Sequence, residues 1–78
     1  MTEKEIARIA YMVTREYAKL MGDKIGPEWG HVSQAVKDNV LEGVQYHIAT
    51  PVLGPSESPG RHYVFRAVVL ALTSEDSQ

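Results

Sequence analysis

With 78 residues, the chain has room for one hydrophobic core and no second domain. Its 44% hydrophobic and 23% charged residues are an ordinary globular balance, which excludes disorder over most of the length. A net charge of −2 argues against general nucleic-acid binding, and the lack of cysteine excludes disulfides, thiolate zinc sites and cysteine nucleophiles together.

The first helix is predicted over Thr2–Met21. Thr2 and Glu5 have the capping-box spacing, in which each side chain satisfies a backbone N–H left open at a helix start. Ile6, Ile9, Ala10, Val13, Tyr17, Leu20 and Met21 then fall on one stripe at about 100° per residue. Gly22 ends the helix by taking the left-handed conformation that other residues resist. Residues 22–30 are predicted as a loop, pinned to the core by Trp29, the only tryptophan. The second helix is expected to begin near Ser33 and stop before Pro51, with Val32, Val36, Val40, Gly43, Val44 and His47 on its core face and Ile48 at the edge. Residues 51–60 hold three prolines and two glycines and read as a loop. Ser58-Pro59 is a suitable start for a third helix running to Leu72, with serine as N-cap and proline in the first turn. Tyr63, Val64, Phe65, Val68 and Val69 also suit a strand, but they do not alternate with polar residues, which favours helix. Ser74–Gln78 reads as a polar tail. The apolar run from Tyr63 to Leu72 carries Arg66 and is too short to span a bilayer. No apolar leader follows the charged N-terminus, and a reducing cytoplasm fits these features.

Residues 6–10 (Ile-Ala-Arg-Ile-Ala), Arg15-Glu16-Tyr17, Leu20-Met21-Gly22-Asp23, Pro27-Glu28-Trp29, Glu42-Gly43-Val44, the run from His47 to Pro51, and Gly54-Pro55 stand in a characteristic order. In that order they resemble the bacterial and viral RyR domain, similar to one repeat of the paired repeats in ryanodine receptors. The likeness runs from Ile6 to Leu72. It departs from the family at Thr14-Arg15, where an Asn-Arg pair is frequent, and at Ala71-Leu72, where the family has an aromatic residue. The resemblance implies a mainly α, three-helix, single-repeat domain over residues 1–73 with long ordered loops. It also implies a recognition module without catalytic machinery or cofactor, with nucleotide-like and signalling molecules as the expected ligands. A cytoplasmic location follows, in a bacterium or in the host of a virus. Paired repeats pack about a pseudo-twofold axis, so a lone repeat is expected to form a homodimer or higher homo-oligomer.

Several groups of residues can carry such a function. Lys4, Arg8, Tyr11, Arg15 and Lys19 follow one another at steps of three and four along the first helix. Cations flanking an aromatic ring suit a phosphate beside a stacked base, with Arg8, Tyr11 and Arg15 as the central candidates. The same stripe also reads as a solvated face paired with Glu5 and Glu16. His47, one turn after Gly43, either contacts a polar ligand or completes the core through a structural hydrogen bond. Trp29 and the Arg61-His62 pair are further candidate ligand contacts. No histidine pair has metal-binding spacing, so no metal is expected. The serines at 33, 56, 58, 74 and 77 fall in caps, loops or the tail, and none sits in a Gly-x-Ser-x-Gly turn. No enzymatic activity is expected. The third helix is apolar on nearly every side, which marks Val64, Phe65, Val68 and Leu72 as candidate oligomer contacts. Two functions therefore stand: a small-ligand binder that sequesters its ligand or alters a partner's binding, and an assembly module with no small ligand.

Overall fold

Thr2 starts the fold in the way its spacing to Glu5 requires. Its hydroxyl accepts from the Glu5 N–H at 3.1 Å, while the Glu5 carboxylate accepts from the Thr2 N–H at 3.0 Å. The backbone and side-chain hydrogen bonds from Thr2 hold the Glu5 carboxyl below the usual carboxylate range. The computed structural model describes residues 1–50 and 61–76, with side chains described for 1–50 and 64–73. Among these residues the fold is mainly α: helix α1 (Glu3–Leu20), a 3-10 turn (Trp29–His31), helix α2 (Gln34–Ala49) and helix α3 (Arg61–Asp76).

Local chemistry explains most of the boundaries. α1 ends in a Schellman motif, with Asp23 N–H donating to Ala18 O at 2.9 Å and Gly22 N–H to Lys19 O at 3.2 Å. Gly22 has a φ of 77°, which is why glycine stands there. α2 opens on Ser33, whose hydroxyl accepts from the Val36 N–H at 3.4 Å. It closes at Ala49, before the proline that disfavours helical geometry at Thr50. The strand alternative for the third segment fails, because residues 61–76 are helical. Helix α3 also runs four residues past the expected end at Leu72 and takes in Ser74, Glu75 and Asp76 from the predicted tail. The predicted start at Ser58-Pro59 lies outside the described residues.

Ile6, Ala7 and Ala10 of α1, Val44 of α2 and Val69 of α3 form the buried centre. Trp29, Leu41, Ile48, Phe65, Val68 and Leu72 pack around it. The face that α1 turns inward differs from the one its large apolar residues mark. Ala7, Ala10 and Ala18 are at most 1% exposed, whereas Val13, Leu20 and Met21 are 40%, 85% and 62% exposed. The buried face is rotated from the predicted stripe by roughly 60°, at about 100° per residue. Alanine offers no bulk, so α1 can lie close against α2 and α3 along this side, most extensively against α3. α2 is rotated similarly. Val40, Leu41, Val44 and Ile48 face the core, while Val36 is 43% exposed and Gly43 and His47 are half-buried.

α3 lies against both other helices. Val69 is fully buried, and over residues 64–73 only Ala67 and Ala71 are exposed. The candidate interface residues Val64, Phe65, Val68 and Leu72 are half-buried within the single chain, and the last three pack on the core.

Candidate functional site

Rotating both helices leaves an apolar strip on α2 beside the core rather than in it, and this strip makes a groove. Its floor is Thr14 of α1, Val40 of α2 and Phe65 of α3, shared by two adjoining depressions. The larger depression, of about 440 Å³, extends along α2 past Val36, Asn39, Gly43 and His47. It is shallow and open to solvent along most of its length, so a ligand there would lie against the surface rather than be enclosed. The smaller, of about 150 Å³, ends against Tyr11, Arg15, Ala18, Ile25 and Gly26.

Aromatic side chains shape one end. Phe65 lies against α2 where Gly43 has no side chain: a Cβ at position 43 would sit 3.4 Å from Phe65 Cε1. Glycine in mid-helix costs ~1 kcal/mol relative to alanine, and the close approach of this ring is a physical reason for it. The His47 ring is 5.8 Å from Phe65 at 54°, and Tyr46 meets His47 edge-on at 5.4 Å. His47 is half-buried, as its place at the edge of the core requires.

The other end is polar. Arg15 Nε donates to Gly26 O at 2.9 Å, and its side chain is only 17% exposed. Arg15 Nη1 also reaches the Glu16 carboxylate at 3.4 Å, a weak surface pair. The Tyr11 hydroxyl donates to Pro27 O at 2.5 Å, and the Tyr11 ring leans on Trp29 at 5.2 Å. The basic stripe of α1 thus divides. Tyr11 and Arg15 are half-buried against the loop of residues 22–30, whereas Lys4, Arg8 and Lys19 are exposed.

Of the candidate ligand residues, the groove brings together Tyr11, Arg15 and His47, and adds Phe65 from the candidate interface. Arg8 lies outside it. Trp29 borders a separate cleft of about 200 Å³ with Lys4, Gln34, Lys37 and Asp38, and Lys37 Nζ lies 5.5 Å from the Trp29 ring centre. Arg61 and His62 belong to the first turn of α3, with side chains outside the described set. Sequence reasoning missed Thr14 and Asn39. Thr14 carries a weak signal, as a hydroxyl among apolar neighbours, but it donates to Ala10 O at 2.7 Å, a common way for a helical threonine to satisfy itself.

Among the described residues no three acidic or histidine side chains gather as a metal site would need, and no helix is long and apolar enough to cross a membrane. Comparison with protein-family models, curated proteins and solved structures gives no match. The functional reading therefore rests on the geometry of the groove.

Proposed function

We propose that the chain is a non-enzymatic, cytoplasmic binding module whose groove captures a nucleotide-derived ligand. The supporting observation is that Phe65 underlies two adjoining depressions, one reaching His47 and the other Arg15. A planar base fits against the aromatic end, where ring faces provide sequence-tolerant stacking. A phosphate fits the guanidinium end, where a half-buried arginine forms a stronger hydrogen bond than one in open solvent. The RyR-like resemblance enters as part of this proposal, since Arg15 and His47 fall within the matching segments.

Calorimetric titration with mononucleotides, dinucleotides and cyclic nucleotides tests the reading. Arg15→Ala is expected to weaken binding roughly ten- to a hundredfold, the cost of one charged hydrogen-bond partner. Affinity should also fall with added salt, because the Arg15 end opens to solvent. No heat with any member of the panel sinks the ligand reading.

A second reading, self-assembly, is favoured by Val13 and Leu20, large apolar side chains left exposed on one side of α1, with Met21 exposed at its end. It moves the expected contact from α3 to α1. Sedimentation equilibrium at micromolar concentration should then give a dimer mass, and Leu20→Glu should return the 8.7 kDa monomer with its helix content intact. A monomer mass at every concentration removes this reading.

A further inference from the structure

We propose that residues 23–28 form a strap that opens and closes apart from the helical core and so gates the Arg15 end of the groove; this rests on the groove being the ligand site proposed above. The strap has a hinge at one end. Gly22, with its φ of 77° and nothing within 4 Å of where a Cβ would stand, is held by its own N–H on Lys19 O and the Asp23 N–H on Ala18 O, which opening there would break. At its other end the Trp29–His31 turn leads into Val32, which is buried. Between these points every residue from Asp23 to Glu28 is exposed. Gly26 and Pro27 are held to α1 by side chains, Arg15 Nε on Gly26 O and the Tyr11 hydroxyl on Pro27 O. Just beyond the strap, Trp29 packs on the core and meets Tyr11 and Lys37. A segment this exposed, tied to the helices at the surface, opens locally more readily than the whole fold unfolds.

The fastening points also build the site. Ile25 and Gly26 are the strap's share of the groove wall, so opening it widens that end. The Gly26 carbonyl takes the Arg15 Nε–H and fixes the guanidinium, which leaves Nη2 as a donor for a ligand anion, with Nη1 joining it where the anion displaces the Glu16 carboxylate. Closure therefore preorganises Arg15, and by linkage an anion held there keeps the strap closed. Gly26 is the tight point, because a Cβ there would stand 3.0 Å from the Tyr11 hydroxyl.

Hydrogen exchange followed by NMR on the intact chain decides it, using wild type, Tyr11→Phe and Gly26→Ala. Tyr11→Phe keeps the ring and loses the bond to Pro27. In the free protein it should speed exchange at the Arg15 Nε–H and the His31 amide by roughly tenfold. The amides of Ala10 and Val69 should stay as slow as in wild type. Gly26→Ala should act in the same direction by displacing the hydroxyl. An increase shared by all three helices, or no increase at the strap in either variant, overturns the proposal. Adenosine monophosphate added to wild type should slow exchange at the strap and leave the core amides unchanged. Calorimetric binding with strap exchange unchanged overturns the gate and leaves the ligand reading in place. No heat with adenosine monophosphate or the rest of the nucleotide panel removes the ligand reading and the gate with it, even where the strap opens separately.

Discussion

Ala10→Asp is expected to leave the chain unfolded at neutral pH, while Val13→Asp should cost about 1 kcal/mol or less. Both residues lie on the apolar stripe of α1, three positions apart. Ala10 is fully buried among Ile6, Ala7, Val44 and Val69, with no cation in that cluster to meet a carboxylate. An uncompensated charge there costs several kcal/mol. The whole domain, at ~0.05–0.15 kcal/mol per residue, is stable by only about 4–12 kcal/mol. Val13 is 40% exposed, so its carboxylate would stay largely in water. Far-UV circular dichroism and urea denaturation of the two variants check this. A cooperative Ala10→Asp transition near the wild-type midpoint, or an unfolded Val13→Asp, would mean that α1 turns its larger side chains inward after all.

The same pair shows where the sequence stops being legible. Helix ends are local events. Thr2 with Glu5, Gly22 after Met21, and Ser33 before Gln34 each specify a boundary within four residues, and each stands close to where the spacing predicts. Which face turns inward is not local. Ile9, Val13 and Leu20 outweigh Ala7 and Ala18 in hydrophobicity. The alanines are nevertheless the ones buried, because a neighbouring helix can come close only where α1 carries little bulk. That reason lies in α2 and α3, and no periodicity within α1 contains it.

The groove was legible in part for a related reason. Tyr11, Arg15 and His47 stand out in the sequence by chemical type alone. What unites them is Phe65 beneath, which reaches Gly43 and His47 from a different helix. The ties of Arg15 to Gly26 and of Tyr11 to Pro27 span 11 and 16 residues, beyond any capping or helical spacing. They also alter what the basic stripe means. Two of its members are occupied in holding the loop, and the exposed Arg8 lies outside the groove they help to line.

Phe65→Ala should have the largest effect of any change in the groove, on stability and on binding together. Removing a buried phenylalanine ring costs about 3–5 kcal/mol, and the half-buried position of Phe65 places it toward the lower figure. The loss has two structural sources. Val40 and the core lose a packing partner, and the Gly43 backbone, covered by the ring, opens to water in the middle of α2. His47 loses the aromatic neighbour 5.8 Å away, and the groove loses its floor. Phe65→Leu separates the contributions, since leucine restores most of the apolar volume but supplies no ring. It should recover at least half of the lost stability, while nucleotide affinity stays at least fivefold weaker than wild type, within the ~1–3 kcal/mol typical of a base stacked on an aromatic ring. Urea midpoints and calorimetric titrations of the two variants give both quantities. If Phe65→Leu binds as tightly as wild type, the ring serves packing alone and the base must lie elsewhere. If Phe65→Ala costs less than about 1 kcal/mol, α3 does not close the groove from below, and the convergence of Arg15 with His47 loses its physical basis.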